Sequence, residues 1–144
     1  MEIQRRTFLK KTGSTLACVC LAGGAALEAA EKNITQYAVE DSNLIIDLGR
    51  HPKLKEVGGS ETFQADKRRI IVLHPDEKNY KAFENKCTHL GGQVSYMHKD
   101  GFMQCALHGS RFDTEGRVVK GPAEKPLTEL RTSLDKDQLT VYLS

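Results

Sequence analysis

The sequence contains no tryptophan and few other aromatics, four Tyr and five Phe. Proteins that bind single-stranded nucleic acid stack bases on aromatic rings, and this composition offers no such platform. A charge excess is also missing from the body of the chain. Of 21 basic and 19 acidic residues, residues 1–30 hold four basic (Arg5, Arg6, Lys10, Lys11) and two acidic (Glu2, Glu28), leaving 17 of each sign in residues 31–144. A formally neutral body is a poor phosphate binder and has no net attraction to an anionic membrane surface. Cysteine is scarce: Cys18, Cys20, Cys87 and Cys105. Two of these lie near the N-terminus, so the body could form one disulfide at most, and a disulfide framework is excluded as its scaffold. Residues 31–144 also lack repeats, low-complexity runs and long stretches of 3.6-residue periodicity, which excludes a helical domain. A chain of 144 residues is expected to form one domain.

What is present begins at the N-terminus. Residues 4–10 read Q-R-R-T-F-L-K, a paired arginine followed by Phe, Leu and Lys, as in twin-arginine export signals. Residues 12–27 carry no charge and are rich in Ala and Gly. They are short of the roughly 20 apolar residues a membrane span needs and fit the apolar region of a signal peptide. Small residues from Ala25 to Ala30 offer cleavage sites, though no clean A-x-A. Thr15 makes Leu16-Ala17-Cys18 a poor lipidation site. Residues 1–30 are therefore expected to be a twin-arginine signal peptide or a weak anchor, with residues 31–144 as the working domain. This route moves folded proteins, so the leader predicts a prosthetic group inserted before export.

The body reads as all-β. Ile34 to Glu40 and Leu44 to Leu48 are predicted short strands. Arg69 to Leu73 is a predicted buried strand, stopped by His74-Pro75-Asp76. Its predicted hairpin partner is Tyr80 to Asn85, across a turn at residues 76–79. Phe102 to Cys105 and Arg111-Phe112 are expected strands around Gly109. Leu127 to Leu134 is another, and alternating Leu139, Val141 and Leu143 mark a closing strand. Glycine-containing turns at residues 58–59, 91–92, 100–101, 115–116 and 121–122 recur at short intervals. The pattern predicts stacked antiparallel sheets.

Two clusters carry the chemistry: Cys87-Thr88-His89-Leu90-Gly91-Gly92 and Cys105-Ala106-Leu107-His108-Gly109-Ser110, with fifteen residues between His89 and Cys105. Two thiolates and two imidazoles could hold one zinc ion. Zinc sites usually group Cys with Cys and His with His, whereas here each loop mixes them and C-x-H is tight for one tetrahedral ion. A two-iron cluster resolves this, because each loop can send its Cys to one iron and its His to the other. The glycines would let the loops close around inorganic sulfide. His51, His74 and His98 have no partner motif and are expected at the surface.

With these motifs in view, the chain from about Leu44 to Leu143 resembles the Rieske [2Fe–2S] family. The resemblance rests on L-I-I-D-L, R-R-I-I-V-L, C-T-H-L-G, H-G-S-R-F-D with Gly116 following, and Gly121-Pro122-Ala123, which looks like the family's proline loop. It implies Rieske-like stacked sheets with a small cluster-binding subdomain at about residues 86–124. It implies Cys87 and Cys105 on the inner iron, and His89 and His108 on the outer iron with their ring edges exposed. Ser110 matches a serine that hydrogen-bonds a bridging sulfide and raises the potential. Leu90 and Leu107 would form an apolar collar that shields the cluster or docks a partner.

The sequence also departs from the family. Members serving cytochrome bc complexes carry a disulfide between the loops, and its positions are Gly92 and Leu107 here. Phe112 replaces a tyrosine that bonds a Cys sulfur in high-potential members. The balance predicts a potential intermediate within the Rieske range of roughly −150 to +300 mV, falling as pH rises past the pKa of an iron-bound imidazole.

The resemblance implies electron transfer and no independent catalysis, because no acid–base or nucleophile constellation stands apart from the ligands. The expected role is the iron–sulfur subunit of an exported oxidoreductase, either a quinol-oxidising cytochrome complex or a small subunit beside a larger catalytic one. Its expected partners are a redox protein or that larger subunit, and quinol, with membrane association through the N-terminal segment and no nucleic acid. The expected location is periplasmic, soluble or on the outer face of the inner membrane. The alternatives are a free periplasmic Rieske ferredoxin and a zinc-stabilised, colourless binding module without redox activity. The catalytic component of a ring-hydroxylating oxygenase is not expected, since it needs a second domain with a mononuclear iron.

Overall fold

A computed structural model describes residues 37–144. The leader, with Arg5, Arg6, Cys18 and Cys20, lies outside the described residues, as does the first part of the strand expected from Ile34. The described residues form three four-stranded antiparallel sheets. The first joins β1 (Tyr37–Glu40), β2 (Asn43–Asp47), β12 (Gln138–Tyr142) and β11 (Thr132–Asp135) in that order. The second joins β10 (Glu129–Leu130), β5 (Asn79–Glu84), β4 (Arg68–Asp76) and β3 (Ser60–Ala65). The third is a meander of β6 (Val94–Met97), β7 (Phe102–Cys105), β8 (Arg111–Asp113) and β9 (Val118–Lys120).

The second sheet is the middle layer, and β4 shows why. Ile70, Ile71, Val72 and Leu73 are each at most 2% exposed. Successive strand side chains point to opposite faces, so a continuous apolar run requires cover on both. Ile70 and Val72 enter one core with Leu44, Ile46, Leu139 and Val141 of the first sheet. Ile71 and Leu73 enter a second core with Phe83, Val94, Met103 and Phe112, and that core also contains Cys87 and Cys105. The cluster-binding part is thus attached to the base through one shared sheet.

Asn85 reinforces the attachment. It is buried, its Nδ2 donates to Thr62 Oγ1 at 3.1 Å, and its Oδ1 accepts from the Val94 N–H at 2.7 Å. Lys81 adds an ion-pair bridge to Glu115 and Glu129, at 2.9 and 3.2 Å.

Several expectations are corrected. β4 does not stop at His74 but runs through Pro75 to Asp76, with a register shift between Leu73 and Asp76. Pro75 has no N–H for the ladder, and a bulge accommodates it. The His74 N–H donates instead to Gly59 O at 3.0 Å. The stretch from Leu127 to Leu134 is not one strand: it breaks at Arg131, β10 pairing with β5 and β11 with β12. It crosses between sheets because Leu127 belongs to the second core and Leu130 to the first. β3, β6, β9 and a short helix α1 (Pro52–Lys55) were not anticipated.

His51 and His74 are not surface residues, being 3% and 6% exposed. Their rings are apolar enough to pack, provided each nitrogen finds a partner. His51 meets Phe63 edge-on and places Nδ1 3.0 Å from Glu61 Oε2. His74 stacks on Tyr80 with centroids 4.3 Å apart, and its Nδ1 lies 3.1 Å from Glu56 O. His98 is exposed as expected.

Candidate metal centre

The two Cys/His clusters occupy the loops that follow β5 and β7. Each loop is closed by the same pair of backbone hydrogen bonds. The Cys87 N–H donates to Gly92 O at 2.7 Å and the Gly91 N–H returns to Cys87 O at 2.8 Å. In the second loop the Cys105 N–H donates to Ser110 O at 2.8 Å and the Gly109 N–H to Cys105 O at 3.1 Å. Gly91 and Gly109 both take left-handed backbone, φ +74° and +71°, which a side chain would strain. The loops are therefore structural copies, although His89 is two residues after its cysteine and His108 three.

This geometry separates the donors by type. Cys87 and Cys105 are each 2% exposed and sit in the second core. His89 and His108 are exposed, with ring centroids 5.0 Å apart and planes at 79°. Leu90 and Leu107, 66% and 59% exposed, flank them as an apolar rim. The loops touch at Gly92, where a Cβ would come within 2.9 Å of Cys105 Sγ and 2.7 Å of Leu107 Cδ1. Leu107 thus fills the space left by glycine, at the two positions where the bc-type members carry their disulfide. The Ala106 N–H, donating to Gln93 O at 3.1 Å, adds a second tie.

A third loop, residues 121–126, covers the pair. The Thr88 hydroxyl donates to Lys125 O at 2.6 Å, and the Ala123 N–H donates to Ser110 Oγ at 3.2 Å. Ser110 is fully buried. Its oxygen accepts from Ala123, and no acceptor among the described residues takes its hydrogen. Asp113, three residues past the second loop's end, anchors the next turn. Burial pushes its carboxyl up. Hydrogen bonds from the backbone and side chain of Arg117 and the backbone of Glu115 outweigh this and hold it below the usual range. The stabilisation from this depressed group is present at neutral pH and is lost as acid protonates it.

The donor set fits a [2Fe–2S] cluster bound by two Cys and two His. Two soft thiols lie inside and two imidazoles outside, a two-plus-two division rather than four ligands on one point. Among the described residues no three His, Cys, Asp or Glu side chains converge as a single-ion site requires. Both thiols are free rather than bridged. The candidate residues read from the sequence, Cys87, His89, Cys105, His108 and Ser110, all fall in these two loops. Thr88 and Asn85 escaped sequence reasoning, because their partners lie 37 and 23 residues away.

Fold and donor set together define a class of protein, and the chain belongs to it: the family model for the Rieske [2Fe-2S] domain matches residues 46–132. The cofactor of this family is the [2Fe–2S] cluster, and its chemistry is one-electron transfer. Among individual relatives, the chain is 26% identical over 143 residues to the cytochrome b6-f complex iron-sulfur subunit of Chlorobaculum thiosulfatiphilum, covering 98% of this chain and 76% of that one. It is 39% identical over 57 residues to the cytochrome b6-f complex iron-sulfur subunit 2 of Nostoc sp., covering 40% of this chain. The chain spans only 32% of that subunit's length. Among solved structures it is similar to the cyanobacterial plasma membrane Rieske protein PetC3 from Synechocystis PCC 6803. The TM-score is 0.54 at 28% identity, over 58% of this chain and 85% of that one.

Proposed function

We propose that this chain is the iron–sulfur subunit of an exported, quinol-oxidising electron-transfer complex. In this reading Cys87 and Cys105 hold the inner iron, and His89 and His108 the outer. The observation that carries it is the pair of matched loops, with buried thiols and two exposed imidazoles 5.0 Å apart. When bound, the cluster supplies one-electron redox chemistry. The protein's part is to keep water from the thiols, to present the imidazole edges between Leu90 and Leu107, and to direct the Ser110 hydrogen inward. The likeness to b6-f iron-sulfur subunits supports a role within a larger assembly.

The test is electron paramagnetic resonance of the reduced full chain with a redox titration. A rhombic signal with mean g below 2 is expected, and its absence overturns the reading. Oxidation of a quinol by the assembled complex is the second readout, and a cluster that no quinol reduces excludes the quinol role. Ser110→Ala is expected to keep the cluster and lower the potential by roughly 65–130 mV. A hydrogen bond to a charged group is worth about 1.5–3 kcal/mol, and about 59 mV is tenfold for one electron.

Residues 1–30 act in this proposal as the twin-arginine signal or weak anchor, and residues 31–144 as the exported Rieske domain. The Arg5-Arg6 pair carries that assignment. Arg5→Lys/Arg6→Lys preserves charge and is expected to leave the folded protein in the cytoplasm, as read by cell fractionation. Undiminished export of this variant would exclude the route.

A further inference from the structure

The neutral body conceals a local excess of positive charge. A groove beside the turn between β3 and β4 is lined by Lys67, Arg68, Arg69 and Lys86, with Glu84 as its one carboxylate. An adjoining hollow shares Glu84 and Lys86 and continues past His89 to Lys125. Glu84 is already neutralised: Arg68 Nη1 donates to it at 3.2 Å, while Arg68 Nη2 donates to Leu143 O at 2.6 Å. Lys67, Arg69, Lys86 and Lys125 are exposed, with no carboxylate partner among the described residues. Asp66 and Glu124 adjoin Lys67 and Lys125 in sequence but line neither hollow. Some cations elsewhere are paired, as in Arg50–Asp47, Lys55–Asp137, Lys81–Glu115 and Arg117–Asp113; what sets the strip apart is that four unpaired cations line two adjoining hollows.

The placement of the groove matters as much as its sign. Lys86 precedes Cys87 and lies along the first ligand loop, its Cε 3.6 Å from where a Cβ of Gly91 would be. Lys125 belongs to the covering loop and is tied by its carbonyl to Thr88. The cationic strip therefore ends at the His89 edge of the site. Unpaired like charges repel one another at some cost to folding, and a concave strip of them focuses potential on an incoming carboxylate.

We propose that this strip is the docking surface for an acidic redox protein, whose carboxylates seat against Lys67, Arg69, Lys86 and Lys125 and so hold it against His89. The proposal deepens the electron-transfer reading and rests on it. A protein fits better than an anionic membrane, because the cations line a hollow rather than a flat face.

The test uses the full-length holoprotein and flavodoxin, a small acidic redox protein, as probe. Flavodoxin binding to the immobilised chain is measured from about 0.01 M to about 0.15 M salt, where the screening length falls from about 30 to about 8 Å. Wild-type affinity is expected to fall about tenfold or more over this range, with Lys67→Glu/Arg69→Glu binding about tenfold more weakly at low salt and losing most of the salt dependence. The variant should keep its reduction potential and its rate with the small uncharged reductant deazariboflavin radical. Salt-independent wild-type binding, or a variant that binds flavodoxin as wild type does, overturns the proposal. If the variant keeps flavodoxin but loses co-sedimentation with phosphatidylglycerol-containing vesicles, the strip is a membrane contact and the proposal fails. Binding needs no cluster, so loss of the paramagnetic signal would refute the electron-transfer reading separately from the groove.

Discussion

Cys105→Ser is expected to yield a colourless protein, with iron and acid-labile sulfide each below about a tenth of wild type, because the ligand must be a soft thiolate. The thiol it replaces is 2% exposed, inside the core with Met103 and Phe112. A serine hydroxyl there is a poor iron ligand and, without one, a buried polar group costing about 1–3 kcal/mol. The loss extends beyond colour. Metal binding is folding free energy when the site does not exist in the unfolded chain. The second core should therefore melt at lower temperature while the first sheet's core is spared. Visible absorption, iron and sulfide analysis and a thermal melt check this. A red-brown Cys105→Ser protein with full iron content would remove Cys105 from the ligand set. His98→Ala, at an exposed position outside both loops, should leave colour and iron unchanged.

Gly121→Ala has the largest expected effect among substitutions that touch no ligand. Gly121 has φ +101°, a region side chains enter only with strain of about 1–3 kcal/mol. Its Cβ would lie 2.5 Å from Ser110 Cα and 3.0 Å from Ser110 N. Those are backbone atoms of the second ligand loop and cannot rotate away. The covering loop must lift, breaking the hydrogen bond from the Ala123 N–H to Ser110 Oγ. The expected destabilisation is roughly 2–4 kcal/mol, with faster loss of iron to a chelator. Gly101→Ala is the matched control. Gly101 is also left-handed, at φ +68°, but a Cβ there meets nothing within 4 Å. It should cost only its strain, about 1 kcal/mol, and leave chelator release unchanged. Equal effects of the two substitutions in urea denaturation would show that contact with Ser110 is unimportant.

The two Cys/His loops were legible in sequence because each is a local object. Cys, His and Gly lie within six residues, and the closing hydrogen bonds join residues four or five apart. The same holds for the hairpin of β4 and β5. There Asp76 Oδ1 accepts from the Lys78 and Asn79 N–H groups, and the turn is written in four consecutive residues. β3 was invisible for the opposite reason. In Ser60–Ala65 only Phe63 and Ala65 are buried, too weak a pattern to stand out without β4 beside it. The break at Arg131 could not be read because the strand-like run changes cores without changing composition.

The sequence by itself determined the two Cys/His motifs, their spacing, the all-β class and the resemblance to Rieske proteins, since these depend on side-chain chemistry within short stretches. Only the tertiary structure decided which groups are hidden and which charges are left over. His51 and His74 are buried because Phe63, Glu61, Tyr80 and the Glu56 carbonyl happen to surround them. The covering loop is held by Thr88 and Ser110 across 37 and 13 residues. The cationic strip exists because Arg68 takes Glu84 while four other cations converge from three separate segments. Net charge is a sum over the chain and carries no position. The field a partner meets depends on distances, which folding alone sets.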